Sequence, residues 1–125
     1  MWVPAEADYP TVLHAFQDRF NGHQRAKKLV KNWDRLILLN AIDTGSKFAL
    51  VIKDQVLTDV QQVVDYDDEA EGLVHMQGEE EVLKSIFSGV CNPATALVDG
   101  ALAVFSQERD KVKLEALAMI IWRIG

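Results

Sequence analysis

The chain has 125 residues, 49% of them hydrophobic and 26% charged, which suits one globular domain and excludes a disordered or fibrous protein. Nineteen acidic residues against thirteen basic ones give a net charge of −6, the wrong sign for a general nucleic-acid binder, which must set cations against phosphates. A single cysteine excludes an internal disulfide and a cysteine-rich zinc site. Met1-Trp2-Val3-Pro4, followed by Glu6 and Asp8, lacks the basic start and apolar run of a secretory leader. The longest apolar run, Ala116 to Trp122, is far shorter than the roughly twenty residues that span a bilayer. The expected compartment is therefore the cytoplasm.

Residues 9–33 read as helical. Val12, Leu13, Phe16 and Phe20 recur at helical spacing, and Leu29, Val30 and Trp33 resume it. Asp8 and Thr11 are both candidate N-caps around Pro10. Asn21-Gly22 either ends one helix and starts another or weakens a single longer one. Arg25, Lys27, Lys28 and Lys31 form a cationic face, which reads as a solvated surface and alternatively as a docking patch for anionic lipid headgroups.

The period then changes. Leu36-Ile37-Leu38-Leu39 is a continuous apolar run, and Phe48, Leu50 and Ile52 alternate with Ala49, Val51 and Lys53. Thr44-Gly45-Ser46 between them is a hairpin signature. Residues 56–66 supply Val60, Val63, Val64 and Tyr66 for a third strand, and residues 73–76 a short fourth. The early strands are expected to form an antiparallel meander. Residues 79–88 predict a helix with Glu79, Glu80 and Glu81 in its first turn, where the macrodipole favours negative charge. A short helix follows from Asn92-Pro93 to Gly100, then a fifth strand over 101–106 and a final helix over 110–124. Strands and helices are grouped rather than alternating. That order predicts an α+β domain spanning residues 1–125, with one five-stranded mixed sheet covered by helices on one face.

Catalytic and metal constellations are sparse. His14, His23 and His75 are dispersed, without metal-ligand spacing. Cys91 is a nucleophile only if a base such as His75 approaches it, and otherwise an inert buried thiol. The acidic run Asp65 to Gly72, aligned as a calcium loop from Asp65, has Ala70 where the sixth position requires Gly and Met76 where the twelfth requires Glu. It reads as a solvated connection. No enzyme activity, cofactor or metal is expected.

The excess lies in the last helix. From residue 112 to 124, ten of thirteen residues are apolar, against the three or four per seven that one core-facing stripe needs. Such a helix must bury a second face against another helix, a second copy of the chain in a homodimer, or an apolar ligand.

One segment carries a resemblance. Gly89-Val90-Cys91-Asn92-Pro93-Ala94-Thr95-Ala96-Leu97-Val98-Asp99-Gly100-Ala101-Leu102-Ala103-Val104 is similar to the pattern G-x-x-N-P-x-x-A-[FL]-x-x-G-x-L-x-V of the sterol carrier protein family. Several matching residues also have a local conformational role. Gly89 ends a helix, Asn92-Pro93 starts the next, and Gly100 turns into a strand. The element order matches over about residues 12–124. The chain departs from the family at Ala101 and Ala103, where lysines are usual, and at Ser106, where glycine is usual. The resemblance implies a sheet and helices enclosing an apolar tunnel that binds or transfers a lipid: a fatty acid, a fatty acyl thioester, a sterol-like molecule or a phospholipid. Phe87, Leu97, Leu102, Val104, Leu117, Ile120 and Ile121 are the candidate cavity wall. The alternative is an interaction or dimerisation module of the same fold, with the tunnel filled by Phe105, Met119 and Trp122.

Overall fold

The computed structural model describes residues 3, 6–64 and 72–122. Most of the acidic run at 65–72, the expected end of the third strand at Tyr66 and the expected end of the final helix at Ile124 lie outside the described residues.

Helix α1 (Tyr9–Asn21) starts at Asp8, whose carboxylate accepts the Thr11 N–H at 2.9 Å, so Asp8 and not Thr11 is the cap. Asn21-Gly22 ends this helix. His23 then caps a second one, α2 (Gln24–Leu29), with Nδ1 accepting the Ala26 N–H at 3.3 Å. The cations of α2 face outward while Ala26, Val30 and Trp33 turn into the core.

Strands β1 (Arg35–Ala41), β2 (Lys47–Lys53) and β3 (Val56–Val63) form an antiparallel meander, with Gly45 at a φ of +79° in the first turn. Strand β4 (Leu73–Gly78) does not extend that meander. It pairs parallel with β1, and β5 (Leu102–Phe105) pairs antiparallel with β4, giving the order β3-β2-β1-β4-β5. The continuous apolar run of β1 is thereby explained. As the central strand, β1 buries Ile37 and Leu39 on the helix-covered face and Leu38 on the other. A bulge in β3 lets Leu57 and Val60, three residues apart, both face the core. Strand β3 is an edge, and α1 covers part of it. The Asn21 amide accepts from the Leu57 N–H at 2.8 Å and donates to the Leu57 carbonyl at 3.0 Å, as a neighbouring strand would.

Helix α3 (Glu80–Phe87), the short α4 (Pro93–Val98) and α5 (Glu108–Ile121) complete the helical layer. Gly89 at φ +86° and Gly100 at φ +80° occupy left-handed backbone that other residues resist, and between them the Asn92 side chain caps α4 by accepting the Ala94 N–H at 2.8 Å. The Gly-Asn-Pro-Gly pattern thus plays the conformational roles its residue types predict. Helix α5 starts two residues before the expected Asp110, because Gln107 and not a residue further on is its N-terminal boundary.

Tyr9 packs edge-on to Phe48 with ring centroids 5.2 Å apart, and its hydroxyl is buried with no hydrogen-bond partner. Burial, reinforced by the Glu80 carboxylate, pushes its ionisation well above the usual phenol range. A raised folded value means that Tyr9 favours the native state until the unfolded phenol ionises, near pH ~10, and opposes it above that. Tyr9→Phe, which removes an unsatisfied polar atom and keeps the ring, is expected to leave stability at neutral pH unchanged or raised by up to about 1 kcal/mol, and to improve resistance to alkaline unfolding. Urea denaturation at pH 7 and above pH ~10 checks both halves, and a loss of stability at neutral pH would show that the hydroxyl has a partner.

Candidate functional site

The helices do not close onto the sheet everywhere. Between them lies a cavity of about 660 Å³. Its floor comes from the helix-facing positions of the strands, including Leu50, Ile52, Leu57, Met76 and Val104, and its roof from α5. Every lining residue except Lys111 and Glu115 is apolar. The opening is marked by lining residues that are also exposed: Leu97 at 46% and Val98 at 86% on α4, with Lys111, Glu115 and Met119 on α5. The site is thus a slot between two helices with an apolar interior and two charged residues, Lys111 and Glu115, at its rim.

Six of the seven expected wall residues line this space: Phe87, Leu97, Leu102, Val104, Leu117 and Ile121. Ile120 packs against the core outside the lining. Phe20, Ile37, Leu50 and Leu57 also contribute. Their sequence signal is ordinary core periodicity, which does not distinguish a wall residue from a packed one. Of the three residues considered as plugs, Trp122 and Met119 stand at the wall, but Phe105 does not: it lies on the opposite sheet face beside His75, with ring centroids 5.8 Å apart. On α5, Val112 is 68% exposed and Met119 is 55% exposed, while Leu114, Leu117, Ala118, Ile120 and Ile121 divide between core and cavity.

Two sets of contacts hold α5 over the cavity. At its start, Asp110 is 1% exposed and accepts the Trp33 indole N–H at 2.8 Å and Arg35 donors at 3.0 and 3.1 Å. Burial opposes the charge of this carboxyl, but the hydrogen bonds from Arg35 and Trp33 and the nearby guanidinium outweigh it and hold Asp110 below the usual carboxylate range. Lys113 adds a hydrogen bond to the Leu29 carbonyl at 2.9 Å, tying α5 to α2. At the other end, the Trp122 indole N–H donates to the Ile86 carbonyl at 2.8 Å. The ring stacks on Phe16 at 5.6 Å and meets Phe87 edge-on at 6.2 Å.

Cys91 and His75 are not assembled into a nucleophilic pair. Cys91 packs against the core with its thiol 3.5 Å from the Asn92 carbonyl, whereas His75 points to the other sheet face. Among the described residues, no three His, Cys, Asp or Glu side chains are grouped to hold a metal ion, and no helix is long and apolar enough to cross a membrane.

No family model matches the sequence, and no curated protein matches it. Solved structures do match the fold. The sterol carrier protein domain 2 of Helicoverpa armigera superimposes with a TM-score of 0.63 at 14% identity, over 100% of this chain and 97% of that one. The palmitated SCP2L2 of Aedes aegypti gives 0.53 at 12% identity, over 86% and 90%. The stereoselective inverting sec-alkylsulfatase Pisa1 of Pseudomonas sp. gives 0.63 at 13% identity. There the match covers 95% of this chain but 17% of the sulfatase, so this chain corresponds to a small part of that protein. The architecture is therefore that of sterol carrier proteins: an α+β domain with a five-stranded mixed sheet under a layer of helices.

Proposed function

We propose that the chain is a non-catalytic lipid-binding domain that holds the apolar part of a fatty acid, fatty acyl thioester, sterol-like molecule or phospholipid in the cavity beneath α5. The observation that carries this reading is the cavity of about 660 Å³, apolar throughout except for Lys111 and Glu115 and open between α4 and α5. Such a space has nothing to offer a polar substrate, whose buried groups would lack hydrogen-bond partners. It rewards an alkyl chain with about 0.8 kcal/mol per buried methylene, before the costs of association. The likeness to a fold found in a palmitated protein supports the same reading. Phe87, Leu97, Leu102, Val104, Leu117 and Ile121 contact the ligand, and Ile120 supports α5 from outside the lining. The separation of Cys91 from His75 supports binding rather than catalysis.

The cations of α2 suit a transient meeting with anionic headgroups, because residues 23–33 carry Arg25, Lys27, Lys28 and Lys31 and no acid in a chain of net charge −6. One assay tests both parts. A fluorescent fatty acid transferred from donor vesicles should enter the protein, and faster from anionic than from neutral vesicles. Failure to take up the probe from any donor, together with no lipid in organic extracts of the purified protein, would overturn the lipid reading. Equal rates from both donors would remove the headgroup contact alone.

A further inference from the structure

We infer that Trp122 is the stop that sets the length of chain the cavity accepts. This rests on the lipid-binding reading and adds to it a direction and an end point. Along α5 the lining begins at Lys111 and finishes at Trp122, three turns of helix or roughly 16 Å. The two ends differ in chemistry. Lys111 and Glu115 put the charged part of the rim at one end, where a polar head keeps its water, while the rim residue nearer Trp122 is the apolar Met119. At the other end Phe16, Phe87 and Trp122 form an aromatic wall, with Phe16 and Phe87 edge-to-face at 4.8 Å and Trp122 against both.

A head group buried at the aromatic end would lose its hydrogen bonds, so the head lies toward Lys111 and the tail toward Trp122. The indole is held at both its edge and its face: its N–H is bonded to the Ile86 carbonyl at 2.8 Å, and its ring is stacked on Phe16. A ring pinned in this way does not swing aside for extra methylenes as an unbranched side chain would. Each methylene added to a ligand therefore tightens binding by about fourfold until the tail meets the indole, and adds nothing beyond that point.

The test is displacement of a fluorescent fatty acid by saturated fatty acids of increasing length, measured for the wild type, Trp122→Ala, Trp122→Leu and Lys111→Gln. The wild-type series should rise and then break at one length. Both Trp122 variants should move the break to longer chains, and Leu keeps enough bulk to preserve folding should Ala not. Lys111→Gln, at the other end of the slot, should weaken all chains alike and leave the break in place. A break at the same length in a folded Trp122 variant overturns the stop while leaving lipid binding intact. Wild-type protein that binds no chain of any length removes the underlying reading and the stop with it.

Discussion

Replacing Asp110 by Ala is expected to lower the unfolding free energy by about 3 kcal/mol, the largest single-site loss expected for any charged residue described. The cost comes from what remains, since Arg35 and the Trp33 indole N–H keep their positions and lose their acceptor. The Arg35 side chain is 15% exposed, so water recovers only part of the loss. Its guanidinium carbon lies 5.3 Å from the Trp33 ring centroid, which holds it in place without the carboxylate. Because Asp110 sits in the first turn of α5, its charge also faces the positive end of the helix dipole, and its removal loosens the roof of the cavity where α5 begins. The carboxyl is held below its ordinary range, so it contributes fully above the unfolded value near pH ~3.9 and loses that contribution as pH falls through the lower folded value. Urea denaturation of wild type and Asp110→Ala should therefore show a gap that is constant at neutral pH and narrows in acid. A gap below about 1 kcal/mol, or one that persists unchanged when the carboxyl is protonated, would show that the ion pair does not anchor α5.

That anchor was not legible in the sequence, and the reason is distance along the chain. Asp110 looks like any acidic residue at a helix start, and its partners lie 75 and 77 positions away. The same holds for β4, whose composition marks a strand but not its parallel pairing with β1. Local features fared differently. The segment from Gly89 to Gly100 encodes its turns and caps in glycine, asparagine and proline, and the structure uses each as its conformational preference dictates. The Thr44-Gly45-Ser46 turn was equally readable. The antiparallel pairing that follows was expected too, but the conformation of its turn was not, because Asp54 and Gln55 adopt φ values of +52° and +66° without a glycine to announce them. Hydrogen bonds from the Asp54 N–H to the Asp34 carboxylate and from the Gln55 side chain to the Lys27 carbonyl hold that turn, and both are tertiary.

The candidate cavity was legible as a surplus rather than as a place. Ten apolar residues in thirteen mark the last helix as more than a one-sided core element, but periodicity assigns no partner to each face. Among the described residues of that stretch, the structure places Leu117 and Ile121 in the core and along the wall, Trp122 at one end of the slot, Met119 at its rim and Val112 toward solvent.

Filling the slot from its floor separates a binding cavity from a packing defect. Val104 faces the cavity from β5 and is only half-buried, so a larger side chain has room to extend into the space rather than into the sheet. Val104→Trp is expected to weaken fatty-acid binding at least tenfold, which corresponds to about 1.4 kcal/mol or more, because indole and alkyl chain compete for one volume. Stability should move little: the gain from filling space, about 0.5–2 kcal/mol, opposes a repacking strain of similar size. The paired readouts give the experiment its force. A folded variant that has lost binding ties the ligand to this cavity. A folded variant that binds as the wild type does would place the ligand elsewhere and leave the slot as an imperfectly packed interior. Fluorescent fatty-acid titration and urea denaturation of the same samples decide between them, since a general loss of structure would lower both together, whereas occlusion lowers only the first.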